Sequence, residues 1–574
     1  MSQKKVTPRK PGTVSKPKIE QTHSKSLYDW LEEKLNLHGN KIFIGIALFS
    51  AIFIYLLFDL KISIGHDDAL YLEGGYRYAT DFFGYFYSAN APLYVLFLSI
   101  PIKLFGLNLF ILKLFSVLFF LLALWITFRT FRGKIPYLVL FFTLIIFATN
   151  YAYLQYASLT YTECFFACVQ ALFLGFFFRL IYKMDEYNWS TILKTWKDWL
   201  WMGFWLWVII TTRSVATFAV FAVIAYFIIQ KKWWAIPASI LSLAVFWIPW
   251  EIAKKVLWAG IETNQYASQG KTLTVAGQGV TTGSESLSGY IDRFFENTEI
   301  YLSARLWEIL GFRPENGPNS LGLTIFTIAI ILLGLFFAFR NKNKSLLFTI
   351  LYFGTLLAGT FVMLQTFWGQ ARLVMVYMPY IIMATFYGLY SLFNINGLKI
   401  LQPIIFIPFL VIWLKGMDVT FEKAIKNQPL VARNLKGDKY AGYSPDYVNY
   451  FKMSEYCADS LPKDTWVAVR KAPMSFIYGK GKLFYAVYDI PSQNADTLAA
   501  LWKKDNVQYV ILSPLRVNAE VYLENQYIST VHRYVGYIEN KYPGTFELVK
   551  TIGDQEAASL YKINYPDSLS VVLK

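Results

Sequence analysis

Histidine and cysteine are scarce in this chain: four His and three Cys in 574 residues. So few histidines argue against a histidine-based metal centre, and no metal is expected. The cysteines match neither a metal knuckle nor a disulfide framework. Cys164 and Cys168 lie one helical turn apart in an apolar segment and Cys457 is remote, so all three read as packing thiols. Charged residues make up only 16% of the chain, against roughly a quarter in soluble globular proteins. No voltage-sensor repeat of arginines, no selectivity filter and no inverted pair of Gly/Pro-broken spans is visible, which argues against a channel or a transporter. A basic–aromatic nucleic-acid module is also missing. A cleavable signal needs a short basic region and a small-residue cleavage site. Residues 1–40 are instead long, polar and rich in Lys, Pro and Ser, and are expected to be a disordered cytoplasmic tail with an amphipathic helix at 27–37.

Apolar and aromatic residues are abundant, at 55% and 19% of the chain, and the mean hydropathy is +0.37. The apolar residues fall in blocks long enough to cross a bilayer, so the fold class is a polytopic α-helical membrane protein. Eleven spans are expected: 41–60, 108–128, 136–152, 162–181, 199–212, 214–230, 233–253, 321–339, 345–366, 371–393 and 399–416. The net charge of +16 sits in the tail and in short loops, as the positive-inside rule requires of cytoplasmic segments. That places the N-terminus inside. Loops 61–107 and 256–320 and everything from 417 to 574 then lie outside. Loop 61–107 should hold a helix near Asp68 and a second, interfacial one near Pro92–Phe105, too short to span easily. Residues 417–574 regain a soluble composition, with strand patterns at 466–470, 509–513 and 546–552 and helical patterns at 446–461, 495–504 and 519–540. This reads as a small α/β domain without a nucleotide fingerprint, and no cofactor is expected.

The chemistry concentrates at the outer ends of the spans. Asp67-Asp68 follows the first span directly, with Glu73 a little further on. Asp is a favoured helix N-cap, which is the plain reading. A doubled carboxylate at a membrane face also suits a base that must reach an acceptor hydroxyl. Glu163 opens a later span, where a helix dipole favours an acid; it can equally be a second acid in the same outer cavity. Arg213 sits in a tight turn between spans and Arg372 at the start of another, both outside and against the positive-inside trend. Headgroup snorkelling accounts for such residues. Bidentate binding of a phosphate does so as well.

Taken together, these segments resemble the glycosyltransferase-C superfamily, nearest to its protein O-mannosyltransferase and aminoarabinose-transferase group. The resemblance rests on Asp67-Asp68, the helix pattern from Tyr71 to Ala79, Ala91-Pro92-Leu93-Tyr94, Leu104-Phe105-Gly106, Phe128-Arg129, Glu163, Arg213, and Arg372 with Pro379 beyond, and covers residues 41–416. The chain departs from the family pattern at Ala91, at Asp68 in place of Glu, and at Leu373 in place of Tyr. The resemblance implies a polyprenyl-phosphate sugar donor in the outer leaflet and an inverting single displacement. It implies Asp67 as base, with Asp68, Glu73 and Glu163 positioning an acceptor or binding a cation, which members of the group often do not need, and Arg213 and Arg372 on the donor phosphate. The acceptor is a glycolipid, a polysaccharide or a protein, and the expected location is the inner membrane of a bacterium. A flippase of a lipid-linked anion would share the arginines without needing Asp67. An envelope assembly protein would need neither.

Overall fold

The computed structural model describes residues 26–261, 274, 284–518, 521–523 and 526–566. Its first helix, α1, runs unbroken from Leu27 to Leu57. Ser26 and Asp29 form a reciprocal capping box at its start. The expected boundary between tail and span at residue 40 is therefore corrected. Gly39 and Asn40 lie inside the helix, where Gly39 meets the rings of Phe128 and Phe141. Glu32, within the segment read as tail, accepts from the backbone N–H groups of Tyr137 (2.6 Å) and Leu138 (3.0 Å). It thereby caps a second helix that proline 136 has started.

After α1 come α2 (Asp67–Thr80), α3 (Pro92–Phe105), α4 (Leu109–Phe131), α5 (Tyr137–Thr149), α6 (Tyr151–Ala157), α7 (Thr162–Lys183), α8 (Trp196–Thr212), α9 (Ala219–Ile229) and α10 (Ala235–Leu257). Further along the chain, α11 (Leu287–Glu299) runs through a π-helical turn (Ile300–Arg305) into α12 (Leu306–Ile309). Then follow α13 (Leu321–Arg340), α14 (Lys344–Met363), α15 (Arg372–Met375), α16 (Met378–Phe393) and α17 (Phe406–Leu435).

Among the described residues, seven helical segments are long and apolar enough to cross a membrane: α1, α4, Thr162–Glu186, α10, α13, α14 and Lys399–Leu435. The pair α5 and α6, bent by 56°, makes an eighth. The chain is a multi-pass integral membrane protein. The three other expected spans correspond to α8, Ser214–Ile229 and α16. At 1.5 Å per residue, their 16–17 residues reach only about 25 Å, short of the ~30 Å hydrocarbon layer.

Two breaks shape the bundle. At Asn150 the side chain caps α6 and donates to the carbonyl of Ile309 (2.7 Å). Between α14 and α16 the long helix is interrupted over residues 364–377, which hold only a 3-10 turn (Thr366–Trp368) and the single turn α15, with Gly369 at positive φ between them. Loose carbonyls at membrane depth need partners from the protein. Tyr153 supplies one to Met375 O (2.6 Å), and Gln170, itself fixed by Tyr352, supplies one to Val376 O (3.3 Å).

Helix α17 continues well past residue 416, so the composition shift there does not end the membrane helix. Pro429 lies inside it without breaking it. The C-terminal domain begins after Leu435 and carries α18 (Pro445–Ser460), α19 (Ala472–Tyr478), α20 (Ala495–Lys504) and α21 (Thr530–Lys541). Its strands are β1 (Trp466–Val469), β2 (Tyr485–Ala486), β3 (Val507–Leu512), β4 (Phe546–Ile552) and β5 (Ala558–Ile563), in sheet order β2-β1-β3-β5-β4. The first three are parallel, and β5 runs antiparallel to both β3 and β4. The helix expected at 519–540 starts at Thr530 instead. Arg516 and Tyr527 form a bridge before it, and residues 519–520 and 524–525 lie outside the described set. The domain shares a core with α2 and α3, in which Leu72 and Leu98 join Tyr447, Phe451 and Phe476.

Helices approach closely where glycine removes the side chain. A Cβ on Gly334 of α13 would collide with the backbone of Ala384 on α16, whereas one on Gly354 would meet nothing within 4 Å. Gly334→Leu is therefore expected to lower the detergent-solubilised protein's melting temperature sharply, in keeping with an overpacking cost of about 1–3 kcal/mol or more. Gly354→Ala should leave it unchanged, as differential scanning fluorimetry can check.

Candidate active site

The site hangs from the short loop that joins α1 to α2. Lys113 on α4 has no exposed surface. Its ammonium donates to the carbonyls of Asp59 (2.8 Å) and Lys61 (2.5 Å), and lies 3.5 Å from the Asp59 carboxylate. The next residue, Ile62, is gripped by Tyr443 of the C-terminal domain, whose hydroxyl accepts from Ile62 N (2.6 Å) and donates to Ile62 O (2.8 Å). Ser63 N donates to Asp68 (3.0 Å). His66 then takes a left-handed conformation, φ 59°, and α2 begins at Asp67. The tight turn sends the Asp67 and Asp68 side chains in different directions.

Asp67 points into a cavity of about 660 Å³ that Glu163, Arg213 and Arg372 also line. Arg372 Nη2 donates to Asp67 Oδ2 at 2.5 Å, and Arg372 Nε donates to Gln370 Oε1 at 2.6 Å. The same guanidinium lies over the ring of Tyr161, 5.0 Å from its centre, a cation–π contact. Tyr161 is fixed in turn by Ser63, hydroxyl to hydroxyl at 2.9 Å. Across the cavity Arg213 Nη2 stands 3.3 Å from Glu163 Oε1. Glu163 is only 1% exposed and Arg213 13%, yet Glu163 Oε2 and Arg213 Nη1 are buried without a hydrogen-bond partner. A buried donor left unmatched costs free energy, and this one belongs to a guanidinium suited to an oxyanion.

The rest of the lining divides in two. Tyr71, Asn90, Thr360, Trp368, Gln370 and Tyr377 present polar edges, while Leu70, Phe218, Met363, Leu364 and Leu373 form an apolar wall. Charged and polar groups thus stand beside an apolar wall in one cavity. Asn90 is itself oriented, accepting from Tyr71 (3.3 Å) and Tyr87 (3.4 Å).

Four of the six expected site residues, Asp67, Glu163, Arg213 and Arg372, are thus brought together over separations of up to 305 residues. The other two, Asp68 and Glu73, expected with Asp67 at the site, are placed elsewhere. Asp68 is fully buried behind the turn, accepting from the backbone of Ser63 and Ala69. Glu73 pairs with Arg77 one turn along α2 at 2.6 Å and does not line the cavity. Tyr71, Asn90, Gln370 and Tyr161 went unread in the sequence. Tyr71 had a signal, since it stands four residues after Asp67 on one helix face. Among the described residues, no group of three or more His, Cys, Asp or Glu side chains converges to hold a metal ion.

Burial pushes the Asp68 carboxyl up to about 7, against the pull of the Ser63 amide and the nearby Lys113. A folded value above the ordinary 3.8 means that folding favours the protonated acid. Its contribution is intact near pH 4 and is lost progressively as pH rises through about 7. We expect melting curves of the intact protein to show stability falling over that window by up to about 4 kcal/mol. Asp68→Asn should flatten that slope while leaving the cavity's binding properties unchanged.

No family model matches the sequence, and no curated protein sequence does. Solved structures do. ArnT from Cupriavidus metallidurans bound to undecaprenyl phosphate aligns at a TM-score of 0.54 and 12% identity, over 93% of this chain and 99% of that one. The same protein in its apo state aligns at 0.53 and 12%, over 92% and 98%. The likeness runs through the membrane bundle and the C-terminal domain alike, and the chain shares the fold of ArnT.

Proposed function

We propose that this protein is a membrane glycosyltransferase that takes a sugar from a polyprenyl-phosphate-linked donor and passes it, with inversion, to an acceptor hydroxyl. The acceptor is a glycolipid, a polysaccharide or a protein outside the cytoplasm. The observation that carries the reading is the convergence of Asp67, Arg372 and Arg213 on one cavity with an apolar wall. The solved relative bound to undecaprenyl phosphate supports the donor class. The cavity end of the bundle is read as extracytoplasmic. Arg132, Lys134, Lys183, Lys231, Lys232, Arg340 and Lys344 lie near the opposite ends of the helices, as the positive-inside rule expects of the cytoplasmic side.

In this reading the acceptor oxygen attacks the anomeric carbon from the face opposite the lipid phosphate. A new O–C bond forms as the C–O bond to phosphate breaks. The acceptor's proton goes to Asp67, and the electron pair of the broken bond stays on the departing polyprenyl phosphate. Arg213 and Arg372 meet the negative charge that grows there, where prepositioned donors stabilise a transition state most. Asp67 and Arg372 are bonded to one another in the structure. A donor phosphate competes for that guanidinium and so leaves the carboxylate available to the acceptor. Tyr71, Asn90 and Trp368 line the same cavity as the carboxylate and suit a sugar ring by stacking and hydrogen bonding.

The test is donor turnover by the purified full-length protein with a panel of polyprenyl-phosphate sugars and an envelope-extract acceptor. Asp67→Asn should lower turnover by about 10²–10⁴-fold, the range expected for loss of a general base, with undecaprenyl phosphate still bound. Full turnover by this variant would overturn the assignment of the base. Arg372→Lys keeps the charge but loses the fork. It should weaken binding of undecaprenyl phosphate by about tenfold for each lost bond of about 1.4 kcal/mol. Unchanged affinity would remove Arg372 from the phosphate site. Movement of donor between leaflets without cleavage, equal in wild type and Asp67→Asn, would mark a flippase instead.

A further inference from the structure

The C-terminal domain reaches the catalytic turn with a buried cation. Lys471 stands between β1 and α19, and its ammonium donates to Ile64 O at 2.9 Å. It also lies 3.3 Å from His66 Nδ1. Ile64 and His66 bracket the backbone that reverses just before Asp67. The His66 ring stacks on Tyr488 of the same domain, at 5.6 Å and 9°, and the Arg470 guanidinium lies 5.0 Å from the centre of that tyrosine ring. Lys471 is 8% exposed, so these contacts are made away from water.

His66 needs such support. It holds φ 59° without being glycine or asparagine, a conformation that costs a residue with a Cβ about 1 kcal/mol or more. Strain of this kind persists where neighbours over-determine it. Here the neighbours are Lys471 and Tyr488, over 400 residues away in sequence. Burial, with Lys471 beside it, holds the imidazole down to about 3, so it stays neutral and can accept from the ammonium at Nδ1. Asp67, Arg470 and Lys471 are the charged groups that face it.

We propose that Lys471 is a positioning residue for the transfer reaction: by holding the Ile64–His66 turn from the C-terminal domain, it aims the Asp67 carboxylate into the cavity. The inference rests on the reading of Asp67 as base. It adds to that reading that the C-terminal domain is part of the catalytic apparatus, although none of its residues lines the cavity. A base misaimed by about 1 Å loses on the order of 100-fold in rate, so the effect of losing Lys471 falls on turnover and not on donor binding.

Two measurements on the full-length protein test this. The first is hydrogen exchange of the amides of residues 62–70, which needs no substrate. In Lys471→Met, which keeps the apolar stem and removes the donors, exchange should speed up by about tenfold or more, while that of α18 and β3 is unchanged. The second is turnover beside undecaprenyl phosphate affinity. Lys471→Met should lower kcat by about 10–100-fold with affinity within about twofold, and Lys471→Arg should recover most of the rate. Tyr488→Leu, which removes the ring under His66 and leaves Lys471 in place, should fall in the same direction and be non-additive with Lys471→Met. It serves as the test should the methionine variant not fold. Full turnover in Lys471→Met or Tyr488→Leu, with Asp67→Asn inactive, would overturn the positioning role and leave the base standing. Weaker binding at unchanged kcat would also overturn it. Activity in Asp67→Asn would instead remove the base on which it rests.

Discussion

A buried ammonium costs several kcal/mol unless its donors are matched, and Lys113 meets that demand with the backbone of the turn beside it. Its three acceptors, two carbonyls and a carboxylate, all belong to residues 59–61. The loop leaving α1 is therefore pinned to α4 before it reaches Ser63, Asp68 and Asp67. Every other part of the site is placed relative to that pinned loop. Tyr161 meets Ser63, Arg372 lies over Tyr161, and Arg372 meets Asp67. Lys113, a charge inside the apolar span 108–128, is the anchor of the chain of contacts.

The membrane sets the second constraint. Backbone groups that leave helical geometry within hydrocarbon need protein partners, and the break at 364–377 is where the chain meets that need. Tyr153 and Gln170 take up the carbonyls of Met375 and Val376. The break lets Arg372 point across the bundle toward α2 instead of along its own helix. The same economy appears at Arg213, which ends α8 in extended geometry and faces Glu163.

Much of this was legible in the sequence, for reasons that also explain what was not. Long apolar blocks and outer charges are local signals, and they located the helices and the residues Asp67, Glu163, Arg213 and Arg372. Glu73 was misplaced because nearness in sequence was read as nearness in space. Six residues turn a helix by about 240°, which sends Glu73 to the far side of α2. Asp68, one step on, turns by about 100° and is claimed by the Ser63 amide. The ends of α1 and α17 were misjudged because composition shifts mark solvent, whereas helices end where hydrogen bonding fails. Tyr443, Lys471 and Tyr488 carried no local signal at all. Each matters through a contact made about 400 residues away, and no periodicity encodes that.

The hydrogen bonds of α1 also bear on how the protein is made. Beyond its own capping box it is tied to later segments: Glu32 accepts from the amides of Tyr137 and Leu138, Gln402 accepts from Tyr28 N, and Asn434 accepts from Leu60 N just past its end. The last two span 374 residues each. At a synthesis rate of about 5–20 residues per second, that separation is about 20–75 s of translation. Packing against α4 and α5 holds α1 well before that point, and α17, arriving last, closes the bundle around it like the final stave of a cask.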